Sequence, residues 1–163
     1  MQIKLERIGP ERKELLYALY QFYEYEFSLY TDTDLEEKGR FAVDLEHFWT
    51  DLRWNPYLIR YGDKIAGFLI VLFENYDTDP DPTHVIYDFL ILPKYRRKGV
   101  GRAAAGQAFE KYRANWKVVQ MSANLPALEF WRKTVQAYTA GQYAEVYRQD
   151  LDKYVQTFTN RMK

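Results

Sequence analysis

The sequence predicts an α/β fold in a single domain covering residues 1–163, and three observations carry that expectation. The length suits one core that needs no disulfide or metal to hold it, and it leaves no room for a second. Segments rich in β-branched and aromatic residues alternate along the chain with segments whose apolar residues recur at helical spacing. Finally, Ile91-Leu92-Pro93-Lys94-Tyr95-Arg96-Arg97-Lys98-Gly99-Val100-Gly101-Arg102 joins an apolar strand to a helix start through a basic turn with two glycines. The first amides of a helix have no partners inside it and carry the positive end of its dipole, so such a turn favours an anion. Glycines at 99 and 101 let that anion approach the backbone.

Residues 2–8 alternate and read as a first strand, closed by Gly9-Pro10. Leu16, Leu19, Tyr20, Tyr23, Phe27 and Tyr30 mark a long helix. Leu45, Phe48, Trp49 and Leu52 mark a second that Asn55-Pro56 closes, and an acidic loop over 31–39 lies between the two. Residues 57–61 and 65–73 flank Gly62-Asp63-Lys64, a hairpin signal. Pro80 and Pro82 set a loop over 74–83, and a fourth strand starts near His84 and runs to Leu92, where Pro93 ends it. Ala105, Ala108, Phe109 and Tyr112 place one apolar stripe on the next helix, whose N-terminus falls near Gly99. A strand over 117–122, a helix over 126–138 and strands over 143–149 and 153–159 complete the order β-α-α-β-β-β-α-β-α-β-β. No repeat, low-complexity segment or linker interrupts it.

Lys plus Arg balance Asp plus Glu at 23 each, so no overall field draws the chain to nucleic acid or to an anionic membrane. The cluster Lys94, Arg96, Arg97, Lys98 and Arg102 sits on a glycine turn, which favours a cofactor's phosphates over a nucleic-acid backbone. The absence of cysteine removes disulfides, a thiol nucleophile and thiolate metal sites. The opening residues do not read as a signal peptide, and no apolar run approaches the roughly 20 residues that span a bilayer. The expectation is a cytoplasmic protein that binds no membrane and no metal, with a homodimer left open. Asp77-x-Asp79-x-Asp81 begins like a calcium loop, but Pro82 stands where glycine is needed and no glutamate closes it.

Three anion-binding readings compete for the glycine turn. Gly99-Val100-Gly101-Arg102-Ala103-Ala104 fits the outline of a dinucleotide fingerprint, yet residues 93–98 separate its first glycine from the strand, and no acid follows at Val119-Gln120-Met121-Ser122. A P-loop fails because no Gly-Lys-Ser/Thr closes the turn. The spacing Arg96-x-x-Gly99-x-Gly101 instead resembles the acyl-CoA pyrophosphate loop of the GNAT superfamily of N-acetyltransferases. Asn124-Leu125-Pro126-Ala127-Leu128-Glu129-Phe130-Trp131 resembles that family's second motif, except that Trp131 stands where the family usually has tyrosine. Indole donates a hydrogen bond but supplies no proton. The Gly-Phe that often closes the motif is also missing, with Val135-Gln136 near that place.

The resemblance implies a mixed, mostly antiparallel, twisted sheet flanked by helices, and direct transfer of an acetyl group from acetyl-CoA to a primary amine of a small molecule or peptide. It also implies a fourth strand whose free amides, at Leu90, Ile91 and Leu92, pair with the pantetheine arm and polarise the thioester. Backbone amides over Arg97, Lys98, Gly99, Val100, Gly101 and Arg102 would cradle the pyrophosphate, with Arg96, Arg97 and Arg102 adding charge. Asn124 would bond the pantetheine arm, and Trp131 would pack against it or bond it. Asp88, the sole acid on that strand, is the candidate base, with a structural hydrogen-bonded carboxylate as the alternative. If Ile91 faces the donor, alternation turns Phe89 the same way and Asp88 the other, unless a bulge shifts the register.

Tyr138, two turns beyond Trp131, is the candidate replacement proton donor, although a thiolate with a pKa near 8.5 leaves tolerably without one. His47 and His84 read as ordinary half-buried histidines. Glu24, Glu26, Asp32, Asp34, Glu36 and Glu37, then Asp77, Asp79 and Asp81, together with the tyrosine stripe, could attract a cationic acceptor. Solvated charges and core aromatics are the plainer reading of the same residues. The rival function is a non-catalytic acyl-CoA-binding or regulatory module.

Overall fold

The computed structural model describes residues 2–162. Seven strands form one open sheet: β1 (Ile3–Arg7), β2 (Trp54–Tyr61), β3 (Lys64–Phe73), β4 (Thr83–Ile91), β5 (Asn115–Met121), β6 (Ala144–Arg148) and β7 (Lys153–Thr159). They lie in the order β1-β2-β3-β4-β5-β7-β6. Only β4 and β5 run parallel, the connection that needs a helical crossover; the other pairs are antiparallel. The mixed, mostly antiparallel sheet expected from the sequence is thus the one observed.

Four helices cover the two faces: α1 (Lys13–Phe27), α2 (His47–Thr50), α3 (Val100–Lys111) and α4 (Leu125–Thr139). On one face Leu16, Leu19, Tyr20 and Phe48 pack on Leu58, Phe68, Ile70 and Leu90. On the other, Ala105, Phe109, Trp131 and Val135 pack on Leu69, Val71, Ile86, Ile91, Trp116 and Val118. Alternate residues of β3 enter opposite cores, which is why that strand reads as an unbroken apolar run. No helix among the described residues is long and apolar enough to cross a membrane.

Two expectations are corrected here. The second helix is a single turn; Leu45 and Phe48 are buried, but Leu52 stands in solvent at 82 % exposure and ends the stripe. Asn55-Pro56 does not close that helix but lies inside β2. The carbonyl of Pro56 accepts the Ile8 amide at 3.0 Å, so its donor-less nitrogen faces the side where β1 has already ended. A central strand tolerates proline only in such a place.

Candidate active site

The parallel β4–β5 ladder joins Thr83–Ile86 to Asn115–Val118 and then stops. Beyond it the two strands part, and a groove of about 1250 Å³ opens between residues 87–91 on one lip and 119–121 on the other. The Leu92 amide donates to the Ala66 carbonyl at 2.7 Å, and the Leu90 carbonyl lies against Gly67. Backbone groups alternate in direction along a strand, so Leu90 and Leu92 turn theirs to β3 while Phe89 and Ile91 turn theirs into the gap. Of the three free amides expected, only that of Ile91 faces the gap. Phe89, which alternation turns the same way as Ile91 but which is not among those three, joins it, and Leu90 and Leu92 are occupied by their neighbour strand.

The basic turn closes one end of this groove. Gly99 is the N-cap of α3 at φ 78°, and Arg97 is also left-handed at φ 60°. No backbone acceptor among the described residues takes the amides of residues 97–99, and the first-turn amides of a helix have none within it. Arg97, Gly99, Val100, Gly101 and Arg102 line the groove; Lys98 does not. A Cβ on Gly101 would stand 3.0 Å from two Phe130 ring carbons, so this glycine is needed for packing α3 under α4. Arg96 is already engaged: its Nε donates to the Ile91 carbonyl at 2.7 Å and its Nη2 to Glu26 on α1, clamping the turn to both elements.

A bulge between Ile70 and Val71 of β3 leaves Tyr87 as an extra residue on β4. Ile86 faces α3 and α4, but the extra residue turns Asp88 to α1 instead of repeating that face, and alternation resumes with Phe89 on the α4 side. There the Tyr20 hydroxyl donates to Asp88 Oδ2 at 2.6 Å and the Tyr23 hydroxyl to Oδ1 at 2.8 Å. Burial raises the Asp88 pKa, and the two phenol bonds oppose the rise without cancelling it. Burial, then the Asp88 charge, drives both phenols well above the usual tyrosine range, so they remain donors. Tyr23, Glu24, Tyr87 and Asp88 all line the groove.

On the α4 side, Asn124 is the helix N-cap, its Oδ1 accepting the Ala127 amide at 3.2 Å. Trp131 is buried, packed edge-on against Phe89 and Phe130 at 5.0 and 4.9 Å, and its indole N–H has no acceptor among the described residues. Gln120, 4 % exposed, donates through Nε2 to Gln156 Oε1 at 2.6 Å, and Gln156 donates to Glu145 at 2.7 Å. Arg132 holds Glu145 ionised, and a carboxylate only accepts, so both amides have fixed orientations and Gln120 Oε1 is left at the groove without a partner among the described residues.

Several expected residues fall elsewhere. Tyr138 is outside the groove lining; its hydroxyl donates to Glu110 at 2.7 Å and accepts from Asn160, which removes it from any proton-donor role. His84 is fully buried rather than half-buried, bonded to Asp77 at 2.8 Å. Asp79 caps the Tyr76 amide and Asp81 binds Asn115 and Arg161, so the acids of the loop before β4 are engaged within the loop and by β4, β5 and the C-terminal segment. Asp32, Asp34, Glu36 and Glu37 are exposed and do not line the groove, although Thr31 beside them does. The acidic side of the groove is instead Glu24, Glu26, Glu74 and Asp88. Glu74 escaped the sequence reading because nothing local marks it.

A sheet split beyond its one parallel pair, with strand amides on one lip and a glycine-turned helix N-terminus at its end, is the architecture of an acetyltransferase. The model of the acetyltransferase (GNAT) family matches residues 14–135, and the chain belongs to that family. No curated protein is a significant match to the chain. Arabidopsis thaliana NAA60 in complex with acetyl-CoA shares the fold at TM-score 0.61 and 13% identity, over 98% of this chain and 99% of that one. The ribosomal-protein-S18-alanine N-acetyltransferase from Escherichia coli gives 0.59 and 13%, over 99% and 96%. An aminoglycoside acetyltransferase from an uncultured soil metagenomic sample, in complex with sisomicin, gives 0.59 and 19%, over 81% and 86%.

Proposed function

We propose that this acetyltransferase moves an acetyl group from acetyl-CoA directly to a primary amine of a small molecule or peptide. The observation that carries the reading is that one groove holds unaccepted amides at the start of α3 and, across the strand gap, a carboxylate set by the β4 bulge. The residues fit a phosphorylated thioester donor. Amides over 97–102, with Arg97 and Arg102, suit a diphosphate, and Asn124, Trp131 and the Phe89 and Ile91 amides line the way to the bulge. Lys98 lends positive charge from outside the groove.

Bound acetyl-CoA would supply the activated acyl carbon. The chain supplies the rest. Amides in the gap are donors for the carbonyl oxygen, where charge develops as the carbon–nitrogen bond forms and the carbon–sulfur bond breaks. Asp88 lies on the α1 face, opposite Phe89, so an amine arriving from that face meets a base without displacing the donor. Burial lifts its pKa above the ordinary carboxylate range, the direction that strengthens a general base. Indole at 131 offers the leaving sulfur a hydrogen bond but no proton, so the thiolate leaves to be protonated by solvent.

Trp131 also supports the second reading, a non-catalytic acyl-CoA binder. Thermal unfolding with and without acetyl-CoA, followed by thiol release across a panel of amines, separates the two. The expected outcome is a Tm rise of roughly 5–10 °C at about a hundredfold excess over Kd, with CoA released by at least one amine. A shift with no release by any amine favours the binder, and no shift at all defeats both.

A further inference from the structure

Resting on the reading of Asp88 as base, we propose that Tyr20 and Tyr23 are positioning residues that hold this carboxylate charged and aimed at the acceptor amine. Their i, i+3 spacing puts both phenols on one face of α1, one for each carboxylate oxygen. Neither ring is free to swing. Tyr20 packs on Phe48 and Phe68 at 6.0 and 4.7 Å, and Tyr23 stacks on Phe27 at 4.2 Å. Each oxygen therefore has one fixed donor and keeps lone-pair capacity for the groove.

The choice of partner matters. Glu26 and Glu74, on the same side of the groove, are paired with Arg96 and Lys117, whose charges cancel theirs. Phenols stabilise the Asp88 charge without cancelling it. The titratable groups facing Asp88 are Tyr20, Tyr23 and Glu24 from α1 and Tyr87 from β4; α2 and β3 present Phe48, Phe68 and Ile70. No cation is among them. Two buried phenols needing only an acceptor would be served by a neutral amide at lower desolvation cost, so the carboxylate is explained by its charge rather than by the phenols' needs. When an ammonium binds, its proton passes to Asp88, the bonding pair stays on nitrogen, and the phenols keep their own protons throughout.

The test is a carboxyl-carbon NMR titration of Asp88 in the wild type, Tyr20→Phe, Tyr23→Phe and the double variant. Profiles of kcat/KM against pH for the same proteins and Asp88→Asn use whichever amine gives turnover. Each lost phenol removes a bond to the charged form, so the Asp88 titration and the acid limb of the profile move together to higher pH. Rates below the limb fall about tenfold per phenol, those above it change less than about threefold, and Asp88→Asn has no limb. If the phenylalanine variants lose Tm or lose rate equally at every pH, with the titration unmoved, the tyrosines are structural and the proposal fails. If Asp88→Asn keeps wild-type rate and limb, the base reading itself is wrong. Should Tyr20→Phe not fold, Tyr23→Phe, whose side chain is less buried, decides the matter alone.

Discussion

Asp88→Asn should cost activity and cost no stability. A carboxyl whose pKa is raised in the folded state binds its proton more tightly there than when unfolded, so its contribution is most favourable in acid and is lost as pH rises through the folded value. The asparagine variant, lacking that charge, is expected to match or exceed the wild-type Tm at pH 8, with the advantage shrinking as pH falls. A thermal melt series checks this, and a variant markedly less stable at pH 8 would show that the charge holds α1 to the sheet. The sequence singled out Asp88 as an acid on an apolar strand, but not its partners. Tyr20 and Tyr23 look like any other members of an apolar helical stripe, because spacing reports which face a residue occupies and not what its hydroxyl meets. Tyr138 misled for the same reason, since it shares a helix face with Trp131 yet sits over Phe109 and Phe158, away from the groove.

Among the elements, β3 and β4 carry the most demanding contact in the sheet. A Cβ on Gly67 would fall 1.9 Å from the Leu90 carbonyl oxygen, and a backbone atom in a central ladder cannot step aside. Gly67→Ala is expected to lose about 3 kcal/mol or more in denaturant unfolding, and to lower activity because β4 bears both Asp88 and the gap amides. A loss below about 1 kcal/mol would mean that the ladder relaxes. Nothing in the sequence marks this glycine, whereas Gly99 and Gly101 announced themselves by their basic company. Element order, the hairpin and the helix start near residue 99 were legible, since each has local turn or periodicity signals. The bulge at Tyr87 was not, because it depends on the partner strand's register.

At the scale of the whole molecule, the sheet is two unequal halves, β1–β4 and β5–β7, whose shared ladder is the four-residue parallel stretch Thr83–Ile86 with Asn115–Val118. Hydrogen exchange should therefore find the amides of Phe89, Ile91 and residues 97–102 fast in the free protein and slowed by acetyl-CoA, with β2 and β3 protected in both states. Unchanged exchange at 97–102 on saturation would place the donor elsewhere. Arg96 ties α1 to the turn from one half only. One buried core spans both halves, so what the short seam leaves unjoined is the pair of lips beyond it, and a donor seated there would brace two edges that no backbone ladder holds together.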